Sequence, residues 1–117
     1  MIWVVMVINQ VQGLDYSSLI CQVKVLGFRA MEVIRECGRG KIGVETFVSL
    51  MKSLPAEELL SQYWHVFMSD PKFVPCMEIL QIIATLAKDS EYQLHNYGTA
   101  SFLEDLQELM QKVKALG

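Results

Sequence analysis

Apolar residues recur at helical spacing along most of the chain after residue 14. The final segment has the clearest pattern, because apolar side chains return every three or four positions from Phe102 to Val113 while the opposite face is charged or amide. Ser101 followed by Glu104 has the form of a capping box, which predicts the start of this helix. The spacing predicts an all-α fold of six or seven short amphipathic helices that pack as a bundle.

Prolines mark sharp corners between these helices. Pro55 suits the first turn of a helix whose apolar stripe runs from Leu59 to Phe67. Asp70 is a good N-cap residue, and Pro71 suits the first position of the helix that follows it. The chain is therefore predicted to turn twice within a short distance.

Glycines mark two further boundaries. Gly27 follows an apolar stripe that begins at Leu19, and it predicts the end of that helix. The stretch CGRGKIG makes residues 37–43 the main linker, and a helix is expected from about Val44 to Ser53. Residues 1–117 are predicted to form a single helical domain on both sides of this linker.

The chain begins with an apolar run, MIWVVMVI, that suits either a helix or a strand because several of its residues are β-branched. The run has neither the basic n-region nor the clear small-residue cleavage site of a signal peptide. It is also shorter than the roughly 20 residues that span a bilayer, so no transmembrane segment is predicted. We therefore expect residues 2–11 to form a core helix or strand.

Composition adds an apolar surplus and a mild negative charge. Hydrophobic residues make up 52% of the chain and the net charge is −3, so the apolar excess must line a core, a ligand cavity or an interface. The one basic cluster is Arg35, Arg39 and Lys41, which is too small for a phosphate backbone, and nucleic acid is not an expected partner. Seven methionines favour a surface or cavity that adapts to varied apolar shapes.

Candidate catalytic chemistry is sparse. His65 and His95 are isolated on different segments, and no HExxH motif indicates a metal. Cys21, Cys37 and Cys76 are odd in number and lack zinc-site spacing, so they are predicted to be small buried hydrophobic residues. The sequence predicts a protein that is not an enzyme and that has no cofactor and no metal.

The two ends of the chain share an order of landmarks. The run WVVMVINQV is followed by an acidic residue, Tyr16 and then Gly27, and ILQIIATLA is followed by an acidic residue, Tyr92 and then Gly98. The interval is shorter in the second copy. The chain therefore contains a degenerate internal repeat.

These landmarks resemble the insect allergen-related repeat family, which includes midgut microvillar proteins. The stretch VETFVSLMKSLPAEELLSQYWHVFMSDPKF is similar to the first part of the family's repeat, IIATLAKDSEYQ to the middle and GTASFLEDLQELM to the end. On this resemblance, residues 1–36 are the back half of one repeat and residues 44–117 are a shortened following repeat. The chain departs from the pattern because it lacks the second acidic corner after DPKF and is short between Tyr92 and Gly98.

The resemblance implies a secreted or microvillar protein whose helical capsule encloses an apolar cavity for fatty acids or other lipids, with low selectivity. The alternative is a helical packing module without a ligand, which pairs with itself as a homodimer or with another repeat. Side chains that close the cavity would give an equally good core, so both functions stay open. On the resemblance, the residues that face the cavity are Phe47, Leu50, Leu59, Tyr63, Phe67, Phe73, Met77, Leu80 and Ile83.

Overall fold

The computed structural model describes the backbone of residues 2–116 and the side chains of residues 18–98 and 100–116. Within this part of the chain there are six α-helices and two 3₁₀ turns and no strand, so the all-α prediction is confirmed. The helices are α1 Ile2–Gly38, α2 Val44–Ser53, α3 Ala56–Gln62, α4 Trp64–Ser69, α5 Val74–Tyr97 and α6 Leu103–Ala115, and the 3₁₀ turns are Pro71–Phe73 and Thr99–Phe102.

Two of the helices are much longer than predicted. Helix α1 has 37 residues and includes residues 2–11, for which the sequence left helix and strand open. At 1.5 Å per residue this helix is about 55 Å long, which accounts for the 54 Å longest dimension of the molecule. Helix α5 has 24 residues and packs against α1, α2, α3 and α6, so it is the central helix of the fold.

Gly27 lies inside α1, and the prediction that it ends a helix is wrong. The positive-φ glycines are Gly40 and Gly98, so Gly27 does not adopt the left-handed conformation of a helix C-terminus. Its missing side chain instead admits a neighbouring helix, because a Cβ atom at Gly27 would lie 2.5 Å from Cγ2 of Val113. The glycine is needed for packing between α1 and α6.

The linker and the helix after it agree closely with the sequence pattern. Helix α2 has the predicted bounds, whereas the linker is shortened to residues 39–43 because Cys37 and Gly38 still belong to α1. The turn has a left-handed glycine, Gly40, with φ of 74°. The amide of Gly40 donates to the carbonyl of Cys37 at 3.1 Å and that of Lys41 to the carbonyl of Glu36 at 2.9 Å.

The region between the first two prolines is divided differently from the prediction. The expected single helix breaks at Tyr63, whose φ of −111° and ψ of 18° lie outside the helical range. Asp70 caps the next turn as predicted, because its Oδ1 accepts a hydrogen bond from the amide of Lys72 at 3.0 Å. Pro71 begins a 3₁₀ turn, and α5 starts after it at Val74.

The capping box predicted for α6 does not form. Ser101 lies in the preceding 3₁₀ turn, where its Oγ donates to the carbonyl of Gly98 at 2.8 Å. The residue that precedes α6 is Phe102, which is buried and whose ring centroid lies 5.2 Å from that of Phe47. The Ser101 hydroxyl that a capping box would use is thus bound to a nearby backbone carbonyl, and a buried aromatic residue stands at the N-cap position.

One hydrophobic cluster draws on all six helices. Its members in the described part of the chain run from Leu19 on α1 to Val113 on α6. The largest fully buried side chains include Phe47, Phe67 and Phe73, which come from α2, α4 and the first 3₁₀ turn. The elements that carry them all contact α5, and we call the whole buried cluster the packed interior.

Candidate functional site

Most residues predicted to face a ligand cavity lie in the packed interior. Tyr63 and Met77 are half-buried and pack against it, whereas Leu50 is 38% exposed because Phe47 and Met51 take the inward positions of α2. None of the nine residues lines any of the four grooves described for residues 18–116. The six that are buried together in the hydrophobic cluster are Phe47, Leu59, Phe67, Phe73, Leu80 and Ile83.

The largest of these four grooves lies between α1 and α6 and has a volume of about 620 Å³. Small-molecule pockets commonly have volumes of about 300–1,000 Å³, so the size is that of a ligand site. Its lining is also the most apolar of the four. We call it the α1–α6 groove, and it is lined by Lys24, Phe28, Met31, Arg35, Gln107, Met110, Gln111, Val113 and Lys114.

The groove has a buried apolar base and exposed apolar sides. Met31 and Val113 form the base and are almost inaccessible to water. Phe28 on α1 is 59% exposed and Met110 on α6 is 44% exposed. Large apolar side chains that line one groove and remain in water are a feature of binding surfaces.

The geometry of the helix pair explains why the groove exists. Gly27 meets Val113, and Arg35 meets Met110, so α6 runs in the direction opposite to α1. At Gly27 the helices are close enough that a single Cβ atom would clash. Farther along α1, the larger side chain of Met31 is buried at the base of the groove.

Basic side chains surround the apolar lining. The guanidinium Nη2 of Arg35 lies 3.6 Å from Sδ of Met110, and a thioether sulfur is a weak acceptor. The salt bridges found among residues 18–116 join Lys112 to Glu78 and Glu108, so no carboxylate in this part of the chain pairs with Arg35. The guanidinium therefore keeps most of its donors for another acceptor.

A second groove of about 550 Å³ continues from the first and shares Phe28 and Arg35 with it. Together the linings of the two grooves hold five basic and two acidic side chains, a charge of +3 on a chain whose net charge is −3. The seven charged side chains are Lys24, Arg35, Arg39, Lys41, Lys114, Glu32 and Glu36.

The other side of α6 has the opposite charge. Glu78, Asp105 and Glu108 line a smaller groove of about 240 Å³, and Lys112 Nζ bridges to Glu78 Oε2 at 2.7 Å. Burial raises the pKa of the Asp105 carboxyl, and the nearby Glu108 and Glu104 raise it further. Helix α6 therefore separates a basic apolar groove from an acidic polar one.

The remaining chemically reactive residues do not converge on a site. His65 and His95 lie on α4 and α5 and are both exposed, and no group of three or more potential metal ligands occurs among the described residues. Cys37 and Cys76 are buried as predicted, and burial raises the pKa of Cys76 to about 11. Cys21 is exposed, so the prediction of burial is wrong for this cysteine.

Sequence reasoning missed the groove residues, although a signal for them is present. Lys24, Phe28, Met31 and Arg35 are spaced by four, three and four residues, which places them on one face of a continuous helix. The prediction that the helix ends at Gly27 placed Lys24 on one helix and the other three residues on another. A continuous α1 would have revealed a basic and apolar stripe.

No protein-family model matches this chain, and neither a curated protein sequence nor a solved structure does. The resemblance to the insect allergen-related repeat family therefore stays a prediction. Within the described residues, none of the helices has the length and apolar character needed to cross a bilayer.

Proposed function

We propose that this protein binds fatty acids or similar single-chain lipids in the α1–α6 groove and catalyses no reaction on them. The observation that carries the proposal is the volume of about 620 Å³ between Phe28 and Met110, two large apolar side chains that remain exposed to water. The proposal keeps the class of ligand that the family resemblance implies. It moves the ligand from the packed interior to the surface.

Access is the reason for preferring the groove. An acyl chain could enter the packed interior only by displacing side chains such as Phe47 and Ile83, which are fully buried. Displacing a buried Phe costs about 3–5 kcal/mol when it leaves a space. The groove needs no such displacement, because its apolar lining already faces solvent.

The groove can supply useful but modest affinity. Each buried methylene contributes about 0.8 kcal/mol, so a chain that buries eight of them gains about 6 kcal/mol before the costs of immobilisation. A gain of about 6 kcal/mol corresponds to a dissociation constant of about 40 μM at best, and the costs of immobilisation weaken the affinity toward about 1 mM. The apolar lining by itself should discriminate little between lipids that bury the same number of methylenes, because Phe28, Met31 and Val113 offer no polar partner along the chain.

A matched pair of methionine substitutions tests the location of the ligand. Met110→Asp places a carboxylate in the side of the groove, whereas Met68→Asp makes the same change on α4, where the methionine is 54% exposed. We expect Met110→Asp to weaken binding of a fluorescent fatty acid by about tenfold or more. Met68→Asp should bind like the wild type, and equal binding by wild type and both variants would contradict the proposal.

The helical packing module remains a second candidate function. Trp64 and Met68 favour it, because they lie one turn apart on α4 and both are about half exposed. A second copy of this chain could remove them from water. Sedimentation at several concentrations tests this candidate: a mass that rises with concentration and falls back in Trp64→Ser supports it, and a constant monomer mass counts against it.

A further inference from the structure

We propose that Arg35 makes the α1–α6 groove selective for amphiphiles with an anionic head group, of which a carboxylate is the expected case. The inference rests on the proposed function, because an acyl chain in the groove is what brings the head group to Arg35. It adds a selectivity that the apolar lining alone would not give. The predicted order of affinity is acid, then neutral alcohol, then cationic amphiphile.

The position of Arg35 is the first argument. It lines both the α1–α6 groove and the groove that continues from it, so it stands where the apolar lining gives way to charged side chains. An acyl chain lying along Met31 and Met110 would end at this point. The head group would then lie beside the guanidinium and close to solvent.

The bonding state of Arg35 is the second argument. A guanidinium has five N–H donors in a planar fork that matches a carboxylate, and such a pair is stronger than a neutral hydrogen bond. In the described part of the chain its hydrogen bond is to Met110 Sδ, at 3.6 Å. A carboxylate oxygen is a far better acceptor than a thioether sulfur. Replacing the contact with Met110 by one with a carboxylate therefore favours binding of the acid.

The surrounding charges are the third argument. Arg39 and Lys41 line the adjoining groove with Arg35, whereas Lys114 lies beside Val113, at the Gly27 end of the α1–α6 groove. Glu32 and Glu36 lie in the adjoining groove and reduce the positive potential without reversing it. A cationic head group would therefore be repelled from the position at which an anionic one is attracted.

Three ligands with the same acyl length test the inference: dodecanoate, dodecan-1-ol and dodecyltrimethylammonium, each below its micelle concentration. Each displaces a fluorescent fatty acid from the wild type, from Arg35→Gln and from Arg29→Gln. Arg29 is exposed on the same helix but lines none of the four grooves, so it controls for the loss of one charge. A Lys114→Gln variant tests whether a cation at the other end of the groove binds the head group instead.

In the wild type we expect the acid to bind about fivefold more tightly than the alcohol at low salt, as for an exposed ion pair. This preference should disappear in Arg35→Gln, persist in Arg29→Gln and shrink as salt is added. Equal binding of acid and alcohol by the wild type would overturn the inference while leaving the proposed function intact. A preference for the acid that is lost in Lys114→Gln but kept in Arg35→Gln would also overturn the inference. Failure of all three ligands to bind would instead contradict the proposed function.

Discussion

The packed interior and the α1–α6 groove are both built from apolar side chains, yet they differ in whether those side chains reach solvent. In the interior, Phe47 and Ile83 have no contact with water. In the groove, Phe28 and Met110 are part of one lining and stay exposed. An apolar stripe thus becomes a core where helices close over it, and an exposed groove where two helices leave it open.

The largest expected effect concerns the packed interior. Phe47→Ala should lower the free energy of unfolding by about 3–5 kcal/mol, because it removes a fully buried ring that packs against Phe102. Leu50→Ala on the same helix is the matched control and should cost less than about 1 kcal/mol, because Leu50 is exposed. Urea unfolding measures both, and similar losses would contradict the division between interior and surface.

The dependence of the free energy of unfolding on alkaline pH tests whether water reaches the packed interior. Burial raises the pKa of the Cys76 thiol to about 11, whereas a thiol in an unfolded chain ionises near about 8.5. Between these two pH values the Cys76 thiol is ionised in the unfolded chain but still protonated in the folded protein. Its contribution to the free energy of unfolding is therefore complete below about pH 8 and declines as pH rises toward 11.

The size of this contribution is about 3–4 kcal/mol, because the two pKa values differ by about 2.5 and each unit of pKa difference corresponds to about 1.4 kcal/mol. Urea unfolding from about pH 8 to about pH 11 should therefore show a steeper loss for the wild type than for Cys76→Ala, which has no thiol to ionise there. Parallel losses in the two proteins would mean that water reaches Cys76.

The contact between Gly27 and Val113 gives the next effect. Gly27→Ala should cost about 1–2 kcal/mol, because the new methyl group would lie 2.5 Å from Cγ2 of Val113 and would push α1 and α6 apart. Gly38→Ala is the matched control, since a Cβ atom there has no neighbour within 4 Å and alanine favours the helix by up to about 1 kcal/mol.

A double variant separates the clash from other causes. Val113→Ala removes the clashing methyl, so Gly27→Ala should cost much less in that background than in the wild type. If Gly27→Ala lowers the free energy of unfolding equally in both backgrounds, the clash with Val113 is not the reason that glycine is needed at position 27. Thermal or urea unfolding supplies all four free energies.

The smallest effect is expected on the acidic side of α6. Lys112 Nζ lies 2.7 Å from Glu78 Oε2 and joins α6 to α5. The pair is partly exposed, so a double-mutant cycle with Lys112→Gln and Glu78→Gln should give a coupling of about 0.5 kcal/mol that falls with added salt. Neither variant should change ligand binding, because both residues lie outside the α1–α6 groove.

Local pattern was enough for much of the fold. Helical spacing predicted the all-α class, and glycine and proline positions predicted the bounds of α2 and the cap at Asp70. The errors at Gly27 and Ser101 have different causes. At Gly27 a contact with the distant Val113 explains the glycine, whereas the Ser101 hydroxyl bonds to the nearby carbonyl of Gly98 and not to the first turn of α6.

The candidate site was harder to predict because it joins distant parts of the chain. Arg35 and Met110 are separated by 75 positions and meet only when α1 and α6 pack together. The predicted cavity residues are apolar and inward-facing for the most part, as expected. No spacing rule says whether inward side chains enclose a space or fill it, and in this fold those of Phe47 and Ile83 are fully buried in the hydrophobic cluster.

The most direct test of the account uses the methionine methyl groups as local probes of ligand position. In a methyl NMR titration with dodecanoate, the ε-methyl signals of Met31 and Met110 should shift, because both line the α1–α6 groove. Those of Met51 and Met77 on α2 and α5, and of Met68 on α4, should stay in place. Shifts at Met51 and Met77 without shifts at Met31 and Met110 would place the ligand in the interior and contradict the central claim.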